Sequence, residues 1–79
     1  MSARLVFLGR LEDIAGGSER VIEPGPLETV LGTLEPDLAV ALLGERVRMA
    51  LNGVLMAERG GIVLGEGDEL AFLPPVSGG

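Results

Sequence analysis

The stretch Val47-Arg48-Met49-Ala50-Leu51-Asn52-Gly53-Val54-Leu55-Met56-Ala57 restricts the fold more than any other part of the chain. Asn-Gly between two apolar runs specifies a tight β-hairpin, because a type I′ turn needs positive φ at both central residues. The flanking sequence reads as further strands and helices. Residues 3–9 form a strand that is apolar on both faces and therefore central in a sheet. Leu11 to Ala15 makes a short helical turn stopped by Gly16-Gly17. Ser18 to Glu23 reads as an edge strand, and Pro24-Gly25-Pro26 breaks it and starts a helix with Pro26 at the first position. Leu27, Val30, Leu31 and Leu34 fall at i, i+3, i+4 and i+7, one apolar stripe with Glu28 and Glu35 outside it. Pro36 ends that helix, and Leu38, Ala41 and Leu42 repeat the spacing in a second short helix up to Gly44. Residues 58–67 read as a loop carrying Ile62-Val63-Leu64, and Asp68 to Leu73 as the last strand.

Strand register follows from the charges. Arg4, Arg48 and Glu69 mark the solvent face, so Leu5, Phe7, Val47, Met49, Leu51, Leu70 and Phe72 point at the helix. Across the Asn52-Gly53 turn Leu51 faces Val54, which puts Leu55 with Ala50 on the opposite side. The open face then carries Val6, Leu8, Ala50, Leu55, Ala71 and Leu73. A contiguous apolar patch on an uncovered sheet reads as a docking surface, with Leu8, Leu55 and Leu73 as its partner contacts. The competing reading is a patch masked by the loop at 58–67.

Composition bounds the functions available. Seventy-nine residues make one small domain, and a 47% hydrophobic content makes it globular. Phe7 and Phe72 are the only aromatics, so the core is aliphatic. With no cysteine and no histidine there is no thiol nucleophile, no usual zinc site and no ordinary neutral-pH base. Ser2, Ser18 and Ser77 have no nucleophile-elbow context. No catalytic residue and no metal ligand is assigned, and stand-alone enzymatic chemistry is not expected. Gly65-Glu66-Gly67-Asp68 lacks the third glycine of a dinucleotide fingerprint and reads as a turn. A net charge of −6 argues against nucleic acid and suits a partner with a basic face. The apolar run Leu5-Val6-Phe7-Leu8 is too short for a signal or membrane segment, so no membrane association and a cytoplasmic location are expected.

The end of the sequence, Pro74-Pro75-Val76-Ser77-Gly78-Gly79, reads as a flexible tail (74–79) on a folded domain (1–73). Two prolines hold the exit extended and limit the entropy lost when it is threaded into a partner. Two glycines can lie in a channel too narrow for any Cβ. The tail reads as a device for handing over the carboxylate of Gly79. All six cations are arginine, and a chain bearing an activated acyl group gains by lacking amine side chains.

Three stretches resemble the small, sulfur-carrier subunit of molybdopterin synthase, the MoaD type of the MoaD/ThiS ubiquitin-like family. They are Leu5 to Gly16, Val47 to Gly53, and Gly67 to Gly79. Together they span the chain, and the Pro-Pro-Val-Ser-Gly-Gly end is the most specific. The sequence departs from that pattern in having Leu73 where a second Phe is common, and in Gly60-Gly61. The resemblance implies an α+β ubiquitin-like β-grasp, a mixed sheet of about five strands with one main helix packed on one face. It also implies a carrier cycle with no bound cofactor. A ubiquitin-activating-type adenylyltransferase uses ATP to adenylate Gly79, and a sulfur donor protein converts the adenylate to a thiocarboxylate. The molybdopterin synthase large subunit then accepts the tail, with Gly78, Ser77, Val76, Pro75 and Pro74 threaded, and sulfur passes to a pyranopterin precursor. The alternatives are a sulfur carrier for thiamin, tRNA thiolation or cysteine, a ubiquitin-like protein modifier, and a plain β-grasp interaction domain.

Overall fold

A computed structural model describes residues 1–75, and Val76, Ser77, Gly78 and Gly79 lie outside the described residues. Five strands form one mixed sheet: β1 (Ala3–Phe7), β2 (Glu19–Ile22), β4 (Arg48–Leu51), β5 (Val54–Leu55) and β7 (Glu69–Leu73), in the order β2-β1-β7-β4-β5. The β7 strand sits at the centre, parallel to β1 and antiparallel to β4. Asn52 and Gly53 have φ of 50° and 85°, the paired positive values of a type I′ turn. The register is the expected one, with Leu51 opposite Val54 and Ala50 opposite Leu55. Strand β2 is an edge, and β1 lies inside the sheet.

Three short helices lie against one face: α1 (Arg10–Ala15), α2 (Leu27–Gly32) and α3 (Pro36–Leu42). The stripe Leu27, Val30, Leu31 and Leu34 is buried, together with Leu38 and Leu42 of α3. They join Leu5, Phe7, Met49, Leu70 and Phe72 from the sheet, and Val47 just before β4, in one core, with Leu51 partly buried against it. This is the ubiquitin-like β-grasp architecture, with the helical layer divided between α2 and α3. Pro36 does not end α2 as expected: α2 already stops at Gly32 with Thr33 as its C-cap, and Pro36 instead opens α3, where its fixed φ suits the first turn. Among the described residues, no helix is long and apolar enough to cross a membrane.

Two further local expectations are corrected. Pro26 is not the first helical residue: its φ of −60° and ψ of 144° make it the extended N-cap of α2. It belongs to a second, two-stranded sheet in which β3 (Gly25–Pro26) pairs with β6 (Val63–Leu64), inside the stretch read as loop. Leu27 N–H donates to Ile62 C=O at 2.9 Å, and Ile62 and Leu64 are buried. A two-residue strand leaves too short a pattern for alternation to reveal it. The loop is also held by Arg59, whose guanidinium donates to the carbonyls of Leu43 (2.7 Å), Gly44 and Val47 (2.8 Å). Those contacts close the end of α3, which has no basic residue in its own last turn.

The Gly65-to-Asp68 turn is built by its own carboxylate. Asp68 accepts from Gly65 N–H at 2.8 Å and from the Asn52 amide at 3.1 Å. Asn52 Oδ1 in turn accepts from Glu69 N–H at 2.9 Å, tying the hairpin to the start of β7. The Gly65 N–H, then the Asn52 amide, hold the Asp68 carboxyl below the usual carboxylate range. A carboxyl lowered in the folded state contributes stability that is fully present above its unfolded pKa, about 3.9. That contribution is lost as the pH falls through the lower folded value. Asp68→Asn should therefore be less stable than the parent near neutrality, and the gap should narrow in acid. Urea unfolding across the acid range measures it; a gap that does not change with pH would remove the carboxylate from the explanation.

Candidate functional site

The last strand is pulled in two directions by its own alternation. Leu70 and Phe72 are buried in the core, whereas Glu69, Ala71 and Leu73 line the opposite face of the sheet. Ladder pairing continues that face sideways: Glu19 is opposite Val6, Val6 opposite Ala71, Ala71 opposite Ala50, and Ala50 opposite Leu55. The two alanines give the face a shallow floor. Leu8 (41% exposed), Leu55 (57% exposed) and half-buried Leu73 stand around it, so the three residues singled out from the register share one face. At one end Arg4 donates to Glu69 at 2.6 Å and to Glu19 at 3.3 Å. At the other, Arg48 lies opposite Leu73. These pairs are exposed and add little stability; they bound the apolar area with charge. The loop at 58–67 does not mask it, because Ile62 and Leu64 are committed to the core on the helix side.

The exit of β7 is fixed at several points. Phe72 stacks on Phe7 with ring centroids 5.9 Å apart and planes 10° from parallel. Leu8 N–H donates to Phe72 C=O at 3.1 Å, extending the parallel ladder to the end of the strand. Pro74 then lies on Gly9: a Cβ built on Gly9 would come within 2.8 Å of Pro74 Cγ. Gly9 has φ of 57° and ψ of −137°, the first central position of a turn closed by Leu11 N–H donating to Leu8 C=O. Both the space and the backbone there demand glycine. Gly9 was not singled out from the sequence; its place between an apolar strand and a helix start was the available signal. Pro75 is exposed, and Val76, Ser77, Gly78 and Gly79, the remaining threading and modification candidates, lie outside the described residues.

Among the described residues no charged or polar side chain is buried. What the arrangement offers is a flat apolar face with charged ends, and a strand that leaves beside it in a fixed direction.

The ThiS family model matches residues 5–79. No curated protein matches the chain. The fold is shared with small archaeal modifier protein 1 (SAMP1) from Haloferax volcanii, at 24% identity and a TM-score of 0.72 with 100% of both chains covered. It is shared with SAMP1 from Methanosarcina acetivorans, at 22% identity and a TM-score of 0.75 over 99% of this chain and 96% of that one. A complex of subunits 1 and 2 of molybdopterin-converting factor from Helicobacter pylori 26695 also contains it, at 24% identity and a TM-score of 0.67 with 100% of both chains covered.

Gly9→Ala tests the anchoring of the exit. The substitution meets an unfavourable backbone and the Pro74 ring together, so it should cost about 1–3 kcal/mol in urea unfolding. Amide shifts of Leu8 and Leu73 should move with it. A variant as stable as the parent, with those shifts unchanged, would show that Pro74 is not seated on Gly9.

Proposed function

The chain belongs to the ThiS family, whose members are small ubiquitin-like sulfur carriers, and we propose that it serves as the sulfur-donating small subunit of a molybdopterin synthase. The observation that carries this reading is the continuity of β7 with Pro74-Pro75-Val76-Ser77-Gly78-Gly79 beside an uncovered apolar face. Such a strand can dock by its face and insert by its tail at the same time. Gly79 is the modified residue. Its α-carboxyl, with an ordinary pKa of about 3.3–3.7, is an ionised and unreactive carboxylate at neutral pH. A partner adenylyltransferase would activate it: a carboxylate oxygen attacks the α-phosphorus of ATP, pyrophosphate leaves, and an acyl adenylate forms. Sulfide (HS−) supplied by a sulfur donor then attacks the acyl carbon, the C–O bond to AMP breaks, AMP leaves, and a thiocarboxylate remains.

Leu8, Leu55 and Leu73 would make the contact with a large subunit that holds the catalytic side chains and the pterin precursor. Sulfur passes to the precursor, and water returns Gly79 to a carboxylate. Two carriers are used per dithiolene. The Helicobacter pylori relative is a two-subunit complex, which supports a partner of this kind. Likeness to SAMP1 supports a second reading, a ubiquitin-like modifier joined to lysines through the same carboxylate.

Docking and transfer should separate. Gly78→Val adds a β-branched side chain where a narrow channel requires glycine. With pre-thiocarboxylated carrier, single-turnover conversion of the precursor should be abolished while affinity for the large subunit is retained. Leu8→Gln should do the reverse, weakening affinity with little change in the unfolding midpoint. Normal turnover from the valine variant would contradict the threading role of the di-glycine, and unchanged affinity in Leu8→Gln would remove the docking face.

A further inference from the structure

One concavity among the described residues lies away from the open face. It is a groove of about 270 Å³ between β2 and α2, lined by Val21, Ile22 and Pro24 on one side and by Val30, Thr33 and Leu34 on the other. It runs beside the edge of the sheet, since β2 pairs only with β1 among the described strands. Phe7 N–H donates to Ser18 C=O at 2.8 Å, which fixes the alternation of the antiparallel pair. Ser18, Arg20 and Ile22 turn their backbone groups toward β1, and Glu19, Val21 and Glu23 turn theirs outward. A row of outward N–H and C=O groups is a template for another strand, and here it adjoins an apolar groove that alternate side chains of that strand would enter. Val21 is 68% exposed.

We propose that this edge takes an extended peptide segment of a partner protein, one with aliphatic residues at alternate positions flanked by Lys or Arg. The charge along the edge selects that occupant. Arg20, the cation at the groove, is held by Glu35 through two hydrogen bonds of 2.6 and 3.0 Å and also donates to Ala15 C=O at 2.9 Å. Its charge is thus matched within the fold, whereas Glu19 at 3.3 Å shares the one Arg4 guanidinium with Glu69, so this excess of carboxylate and Glu23 set the sign of the edge. A second copy of the chain is a poor occupant. In an antiparallel register centred on Val21, each Glu19 would face the Glu23 of the other copy, between two chains of net charge −6. A basic-flanked segment meets the same carboxylates with the opposite sign. Strand addition here widens the sheet sideways and leaves Leu8, Leu55 and Leu73 uncovered, so one chain can hold such a segment and still present the open face.

The test is a titration of ¹⁵N-labelled full chain with the synthetic peptide Lys-Lys-Val-Ile-Val-Ile-Lys-Lys, followed by amide shifts. Val21, Glu23, Thr29 and Thr33 should move saturably, and Glu in place of the peptide's Lys should weaken binding by about tenfold or more. Val21→Pro removes one outward N–H and leaves the β1 ladder intact, as an edge strand allows; it should weaken binding by a similar factor. Thr29→Trp fills the groove without touching the strand and should do the same, which keeps the test decisive if the proline variant does not fold. The proposal is overturned if no shifts appear, if they fall on the open face, or if the Glu-flanked peptide binds equally well. Concentration-dependent shifts of the same residues without peptide would assign the edge to a second copy and overturn it too.

Discussion

The parallel ladder between β1 and β7 is the constraint on which the other features of the molecule depend. It joins segments 65 residues apart in sequence, as the Arg4 and Glu69 pair at its start shows. Its core side is the stacked pair Phe7 and Phe72, the chain's two aromatics, both fully buried. An aliphatic core of this size is marginal, and the two rings supply its largest fully buried side chains at the point where both halves of the sheet meet. Because β7 is bonded on both edges and its register is pinned by that stack, Ala71 and Leu73 have no freedom but to face the other way. The open face is a consequence of how the core is packed.

The same constraint sets where the chain leaves. Phe72 is the last core residue, Leu8 N–H donates the ladder's final hydrogen bond to its carbonyl, and Pro74 is laid on Gly9. The open face and the exit of the chain at Pro74 are therefore fixed relative to one another by a few residues. Under the proposed function that geometry matters more than any side-chain chemistry in the domain. On that proposal a carrier would present its terminal carboxyl to more than one partner, and an exit held as far as Pro74 limits the entropy lost at each.

The parts of this organisation that were legible in the sequence are those with a local period or a demanding backbone. Asn52-Gly53 announced its turn because two positive φ values leave few residue choices. The Leu27, Val30, Leu31 and Leu34 stripe and the alternation around Ala50, Leu55 and Ala71 announced their faces because burial repeats at 3.6 and 2. What was not legible depends on contacts between distant segments. The β3 and β6 strands are two residues each, and they turned Pro26 from a helical residue into an extended cap. Arg59 reads as a loop charge until its three carbonyl partners are seen, and Gly9 as the end of the first strand, which stops at Phe7, until Pro74 lies on it. Asp68 sits in a turn that was expected, but the bond from Asn52 that ties hairpin to last strand has no sequence signature.

On the proposed function the fold serves to present Gly79 for activation. Intact-mass analysis of the chain incubated with its activating enzyme, ATP and a sulfide source, followed by fragmentation of the last peptide, tests it most directly. One oxygen should be exchanged for sulfur, dependent on ATP and localised to Gly79. An ordinary carboxylate on Gly79 after ATP turnover, or sulfur carried anywhere else in the chain, would contradict it.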